Sequence, residues 1–188
     1  GAEIAGIKMH AAIDVIMRRN HIHHCTMGIW CDWEAQGTRL SQNLLHDNQR
    51  PAFAKQLKGG MMCQDIFVEV GHGPTLIDNN ILLSDASLRF ATQGVAMVHN
   101  LICGALTCVG EGTSWRYTPY HMPHRTEVMG FMTILHGDDR FYNNILLQCM
   151  ILMMDLILKT EKSEPGCLMS IQRMMNGFHS LILQNLQI

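Results

Sequence analysis

The fold this sequence predicts is all-β: a right-handed parallel β-helix, in which the chain winds as a solenoid of short strands. Three observations lead there. An asparagine followed by two mostly apolar residues recurs along the chain. The segments around it are short and β-branched, with Gly and Asn at the corners. The two stretches that break the pattern read as surface loops.

The recurrences are Asn20-His21-Ile22, Asn43-Leu44-Leu45, Asn80-Ile81-Leu82, Asn100-Leu101-Ile102 and Asn144-Ile145-Leu146, in steps of 23, 37, 20 and 44 residues. Three steps fit one or two turns of about 22 residues, and the step of 37 fits one turn plus an insertion. Asn tolerates left-handed backbone and can stack in ladders at the bends of successive coils, which favours a β-solenoid over a leucine-rich repeat. The first interruption, residues 49–64, holds Pro51, Lys55, Lys58 and Gly59-Gly60. The second runs from Gly110 to Thr126 and is rich in Gly, Pro and aromatics, including Trp115, Tyr117 and Tyr120. Loops of this kind project from one face of a solenoid and line a groove. Past Leu147 the pattern stops. Residues 149–162 and 167–187 take on helical spacing. The division expected is therefore a β-helix over 1–147 and a divergent tail over 148–188, a helical cap that would cover exposed strand edges.

Composition narrows the partners. The chain has 188 residues, 47% hydrophobic and 16% charged, enough for a real core and too apolar for disorder. A net charge of −2 gives no basic surplus for nucleic acid and no polybasic run for anionic lipid. The longest apolar run, Ile145 to Leu158, is interrupted by Gln148 and Asp155 and falls short of the roughly 20 residues a membrane span needs. Neither nucleic acid nor membrane is expected as a partner. Seven cysteines without CxxC spacing argue for reduced thiols and a cytoplasmic protein. Fifteen methionines read as adaptable core filling. Among the eleven histidines, His21 and His23 share a strand face. Two imidazoles can bind zinc, but no Cys or carboxylate completes an obvious tetrahedral set, so no metal or cofactor is expected. The chain opens at Gly1, mid-pattern and without an initiator Met, and reads as a fragment.

Two strands carry the chemistry. In Gly28-Ile29-Trp30-Cys31-Asp32-Trp33-Glu34, alternation puts Ile29, Cys31 and Trp33 on one face and Trp30, Asp32 and Glu34 on the other. In Asp65-Ile66-Phe67-Val68-Glu69-Val70, the apolar residues at 66, 68 and 70 point inward, leaving Asp65, Phe67 and Glu69 outward. If the 37-residue step is one coil plus a loop, these strands are neighbours about 4.8 Å apart, and Asp32 and Glu69 face out at matching positions roughly 5 Å apart. Such a separation suits a nucleophile and an acid/base on one glycosidic bond, and crowding of two carboxylates keeps one protonated. Glu34, on the same face as Asp32 at about 7 Å, makes an alternative pair of inverting geometry.

The stretches GAEIAGIKMHAAIDV, NHIHHCTMGIWCDWEAQGTRLSQNLLHDN, DIFVEVGHGPTLIDNNILLS, TQGVAMVHNLICG, RYTPYHMPHRTE and HGDDRFYNNI resemble the β-xylosidases of glycoside hydrolase family 120, over residues 1 to about 146. The resemblance implies a parallel β-helix carrying a separate β-sandwich, and a retaining mechanism that releases xylose from xylo-oligosaccharides, as in xylan degradation. It implies Asp32 as the nucleophile, Glu69 as the general acid/base, and Glu3 as a neighbour of the bound sugar. Trp30 is expected as a stacking platform. Gln36, Arg39, His72, His124, Glu127, Asp138 and Arg140 lie in the same motif blocks and are expected as contacts to hydroxyls or as orienters of the acids. The loop between Asn48 and Asp65 is longer than the family's, no β-sandwich is present, and the segment after Leu147 does not resemble the family's continuation.

Three other classes remain open, one of them a purely structural solenoid, which would need neither the acids nor the stacking aromatics. A β-helix polysaccharide lyase would need a Lys or Arg base and commonly a calcium site. A non-catalytic carbohydrate-binding solenoid would keep Trp30, Trp33, Phe67 and Trp115 without needing both acids. Exposed solenoid ends favour self-association as a homo-oligomer.

Overall fold

The computed structural model describes residues 4–52, 63–108 and 117–147. The expected helical tail, Trp115, Glu3 and most of the first loop lie outside these residues. The strands follow in triplets: β1 (Ile7–His10), β2 (Ile16–Arg18), β3 (His21–His23); β4 (Met27–Asp32), β5 (Thr38–Ser41), β6 (Leu44–His46); β7 (Gln64–Glu69), β8 (Thr75–Asp78), β9 (Ile81–Leu82); β10 (Ala86–Ala91), β11 (Val95–Val98), β12 (Leu101–Ile102). A last triplet, β13 (Ala105–Cys108), β16 (Arg140–Tyr142) and β17 (Ile145–Leu146), is interrupted by β14 (Tyr117–His121) and β15 (Val128–Thr133). Each triplet adds one strand to each of three parallel sheets, ordered β1-β4-β7-β10-β13, β2-β5-β8-β11-β16 and β3-β6-β9-β12-β17. Among the described residues the protein is all-β, with no α-helix.

The interior follows from alternation. Equivalent positions of successive coils stack into apolar rows: Ile29, Ile66 and Leu88 in the first sheet, Leu40, Ile77 and Met97 in the second, Leu45, Leu82 and Ile102 in the third. Every one is almost fully buried, and each such side chain contributes on the order of 1.5–3 kcal/mol by leaving water.

The asparagines form one continuous ladder at the corner before the third sheet. Asn20 donates its backbone N–H and its side-chain amide to Asn43 Oδ1, at 3.0 and 2.9 Å. Asn43 does the same to Asn80, Asn80 to Asn100, and Asn100 to Asn144. The amides of Asn43, Asn80, Asn100 and Asn144 also donate to the carbonyls of Met17, Leu40, Ile77 and Met97. One expectation needs correction. The left-handed residue is not the ladder asparagine but the one before it: Arg19, Gln42, Asn79, His99 and Asn143 have φ of 58°, 57°, 55°, 56° and 51°. The preceding residue makes the bend, and this frees the asparagine to bridge coils.

Two further expectations are corrected. The segment from Gly110 to Thr126 is not simply a loop, because β14 and β15 pair antiparallel as a hairpin, with Tyr117 stacked on Phe131. Asp65 does not face solvent. It is fully buried and accepts hydrogen bonds from Asn48 Nδ2, the Ser84 backbone N–H and the Ser84 hydroxyl. Burial pushes its carboxyl up to about 6, against the lowering effect of those bonds. The unfolded chain holds this proton only to about pH 3.9. The raised folded value therefore contributes stability that is fully present below pH 4 and lost as pH rises through 6. In urea unfolding, the wild type should lose about 2 kcal/mol relative to Asp65→Asn between pH 4 and 7. A difference that stays flat across that range would refute the burial argument.

Candidate functional site

The first sheet presents the two acids at the carboxyl ends of neighbouring strands. β4 and β7 pair in parallel with Trp30 opposite Phe67 and Cys31 opposite Val68, so Asp32 and Glu69 follow one position beyond the last pair. Ile29, Cys31, Ile66 and Val68 lie in the core, which leaves Trp30, Asp32, Phe67 and Glu69 on the opposite face. That face is not open as a solvated sheet would be. Trp30 and Phe67 are buried in a second apolar cluster with Met27 and Ala91.

Asp32 is 4% exposed. Its Oδ2 pairs with Lys8 Nζ at 2.9 Å, and its Oδ1 accepts the Trp33 backbone N–H at 2.8 Å. Glu69 is half-buried, and its Oε2 accepts the Trp30 indole N–H at 3.3 Å. Trp30 therefore links the two acids: Lys8 Nζ lies 3.8 Å over its ring while its N–H reaches Glu69. On the other side Trp30 tilts against Phe67, with ring centroids 5.6 Å apart. Glu34 lies beyond this strand. β4 ends at Asp32, and Glu34 sits in the following turn with φ of 65°, so the same-strand geometry of the Asp32–Glu34 alternative does not arise.

A second group of expected residues gathers around the first corner. Gln36, His72, His124, Asp138 and Arg140 all line one cavity of about 320 Å³. Asp32 and Glu69 are not among its lining residues. His72 is buried, with Nε2 2.7 Å from the Thr118 hydroxyl and its ring edge-on to Tyr120. Burial pushes its pKa down, which keeps it neutral. Gln36 donates to the His121 carbonyl at 3.2 Å. Gln36 Oε1 and His72 Nδ1 are buried without a hydrogen-bond partner. His124 pairs with Asp14 at 2.9 Å, and Arg140 with Asp138 at 2.8 Å. Glu127 is exposed, 3.9 Å from Arg125, and lines a neighbouring cavity with His124.

Arg39 stands apart. It forks onto Asp78 at 2.9 and 2.8 Å, and Ser41 adds a third bond to the same carboxylate. The Arg39 guanidinium holds the Asp78 carboxyl below its ordinary range. This pairing ties β5 to β8.

Lys8 and Thr118 were not anticipated, whereas Tyr120 belongs to the stretch expected to line a groove and does line the cavity. Lys8 was findable, since β1 pairs with β4 so that Lys8 sits opposite Trp30, one coil of 22 residues earlier in the sequence.

These features define an all-β protein of stacked parallel coils, with paired acids on one sheet and a cavity at the next corner. Among solved structures it is similar to XylC, determined in complex with xylose, with 48% sequence identity and a TM-score of 0.66. The match covers 78% of this chain and 21% of XylC, so the chain spans about a fifth of that protein's length. No protein-family model matches the sequence, and no curated protein does. Among the described residues, no helix is long and apolar enough to cross a membrane.

Proposed function

We propose that the chain carries the catalytic face of a retaining glycosidase that releases xylose from the ends of xylo-oligosaccharides, built on a right-handed parallel β-helix. Asp32 is the nucleophile and Glu69 the general acid/base. The observation that carries this reading is the register of β4 and β7, which brings the two acids to the ends of adjacent strands on one face. Strands in a sheet lie about 4.8 Å apart, close to the roughly 5 Å between carboxyls that a covalent glycosyl-enzyme mechanism requires. The xylose-bound state of XylC supports the choice of sugar.

In this mechanism Asp32 attacks the anomeric carbon while Glu69 protonates the departing oxygen; Glu69 then deprotonates the water that releases the sugar. Lys8 and the Trp33 N–H engage both Asp32 oxygens and fix the direction of attack. Trp30 positions Glu69 through its indole N–H.

The direct test is covalent trapping. Incubation with a 2-deoxy-2-fluoro-β-xyloside bearing a good leaving group should add one fluoroxylosyl unit, and peptide mapping should place it on Asp32. An adduct on Glu34 or on no carboxylate would reject the assignment. Xylose binding with no turnover and no adduct would favour a carbohydrate-binding solenoid instead.

A further inference from the structure

On the third sheet, on different strands from the acids, four imidazoles crowd one corner. His21 and His23 lie on β3, two residues apart and so on one face, and His23 pairs in register with His46 of β6. The His23 ring stacks on His46, with centroids 5.1 Å apart and planes 8° from parallel. His21 Nε2 and His46 Nε2 point at each other at 2.7 Å. His24 packs edge-on against His23.

Two facing ring nitrogens can share only one hydrogen, so at least one presents a lone pair. The partner on the far side of His46 decides which. His46 Nδ1 donates to Asp47 Oδ2 at 2.6 Å, which places the hydrogen on Nδ1 and leaves Nε2 as the bare nitrogen. A carboxylate behind an imidazole is the arrangement that orients metal-binding histidines and raises their basicity. His21 Nε2 becomes a second bare nitrogen once its hydrogen moves to Nδ1.

We propose that His21 and His46 form a binding site for a divalent transition-metal ion, with zinc as the reference, and that Asp47 orients His46 from behind. Zinc–nitrogen bonds of about 2.0–2.1 Å at a near-tetrahedral angle need nitrogens about 3.3 Å apart. His21 is exposed, so it has room to swing out by the required half-ångström or so while His46 stays seated. Among the described residues, no three or more His, Cys, Asp or Glu side chains converge on a metal-sized point, so this is a two-imidazole bite completed by water. Such a site bridges the first and second coils. It stabilises the corner to the extent that it binds the folded chain more tightly than the unfolded one.

The test is zinc chloride titrated into the reduced 188-residue chain, followed by histidine ring NMR resonances and by the thermal midpoint. Zinc should shift the His21 and His46 ring nitrogens first and raise the midpoint. His21→Gln, on the exposed side, and His46→Gln should each weaken binding at least tenfold. Asp47→Asn should weaken it about 10–100-fold, as loss of an orienting carboxylate does. Cys25→Ser and His99→Gln should leave it unchanged. Wild-type affinity in either histidine variant, or loss of binding in Cys25→Ser, would overturn the site.

Discussion

Asp32→Asn should reduce turnover of an aryl β-xyloside to background, and Glu69→Gln should lower turnover of xylobiose by on the order of 10²–10⁴-fold. The two losses differ in kind. The amide at position 32 keeps the shape of the carboxylate and the bond from the Trp33 N–H, but it cannot form the glycosyl ester. The loss should therefore be independent of the leaving group. Glu69 supplies a proton to the departing oxygen, and a nitrophenolate departs without one. Glu69→Gln should thus spare the first step on an activated aryl xyloside far more than on xylobiose. Steady-state kinetics on both substrates, beside a thermal midpoint for each variant, separates chemistry from stability. The midpoint matters because Asp32→Asn removes the anion that Lys8 pairs with at 2.9 Å. Undiminished turnover in Asp32→Asn would end the nucleophile assignment.

How the acids could be read from sequence, and what could not, has a physical basis. Period-two alternation assigned Ile29, Cys31, Ile66 and Val68 to the interior, which leaves their neighbours on the other face, and the core confirms those inward positions. Alternation says nothing about what covers that other face. Trp30 and Phe67 turned out buried there. Nor does it mark where a strand stops: Glu34 follows the same pattern as Asp32 but lies past the end of β4 in a left-handed turn. Asp65 fails for a related reason. A charge on an alternating strand reads as solvated, yet Asn48 and Ser84 supply enough donors to hold it inside. The corner cavity draws on residues from Ile13 to Arg140, a separation at which no local pattern carries information.

The second large effect concerns the ladder. Asn80→Ala should destabilise the protein by about 4 kcal/mol, measured by urea unfolding. Asn80 Oδ1 accepts from Asn43 twice, and its amide donates to Asn100 Oδ1 and the Leu40 carbonyl. Truncation strips these buried groups of partners, at about 1–3 kcal/mol for each left unsatisfied. Partial rescue by neighbouring donors and the smaller side chain reduces the sum. Asn20→Ala, at a half-buried position with one ladder neighbour among the described residues, should cost markedly less. Equal losses at the two positions would mean the bonds act singly and not as a buried stack.

The ladder was the most legible feature of the fold because it is written in one residue type at one structural position. Its asparagines are separated by 20 to 44 residues along the chain. In space each step is a single strand spacing of about 4.8 Å. The protein therefore measures its coils with a ruler that ignores contour length. The longer steps, of 37 and 44 residues, end on the next rung as the steps of 23 and 20 do. Coils gauged in this way can differ in contour length without renegotiating the core they share.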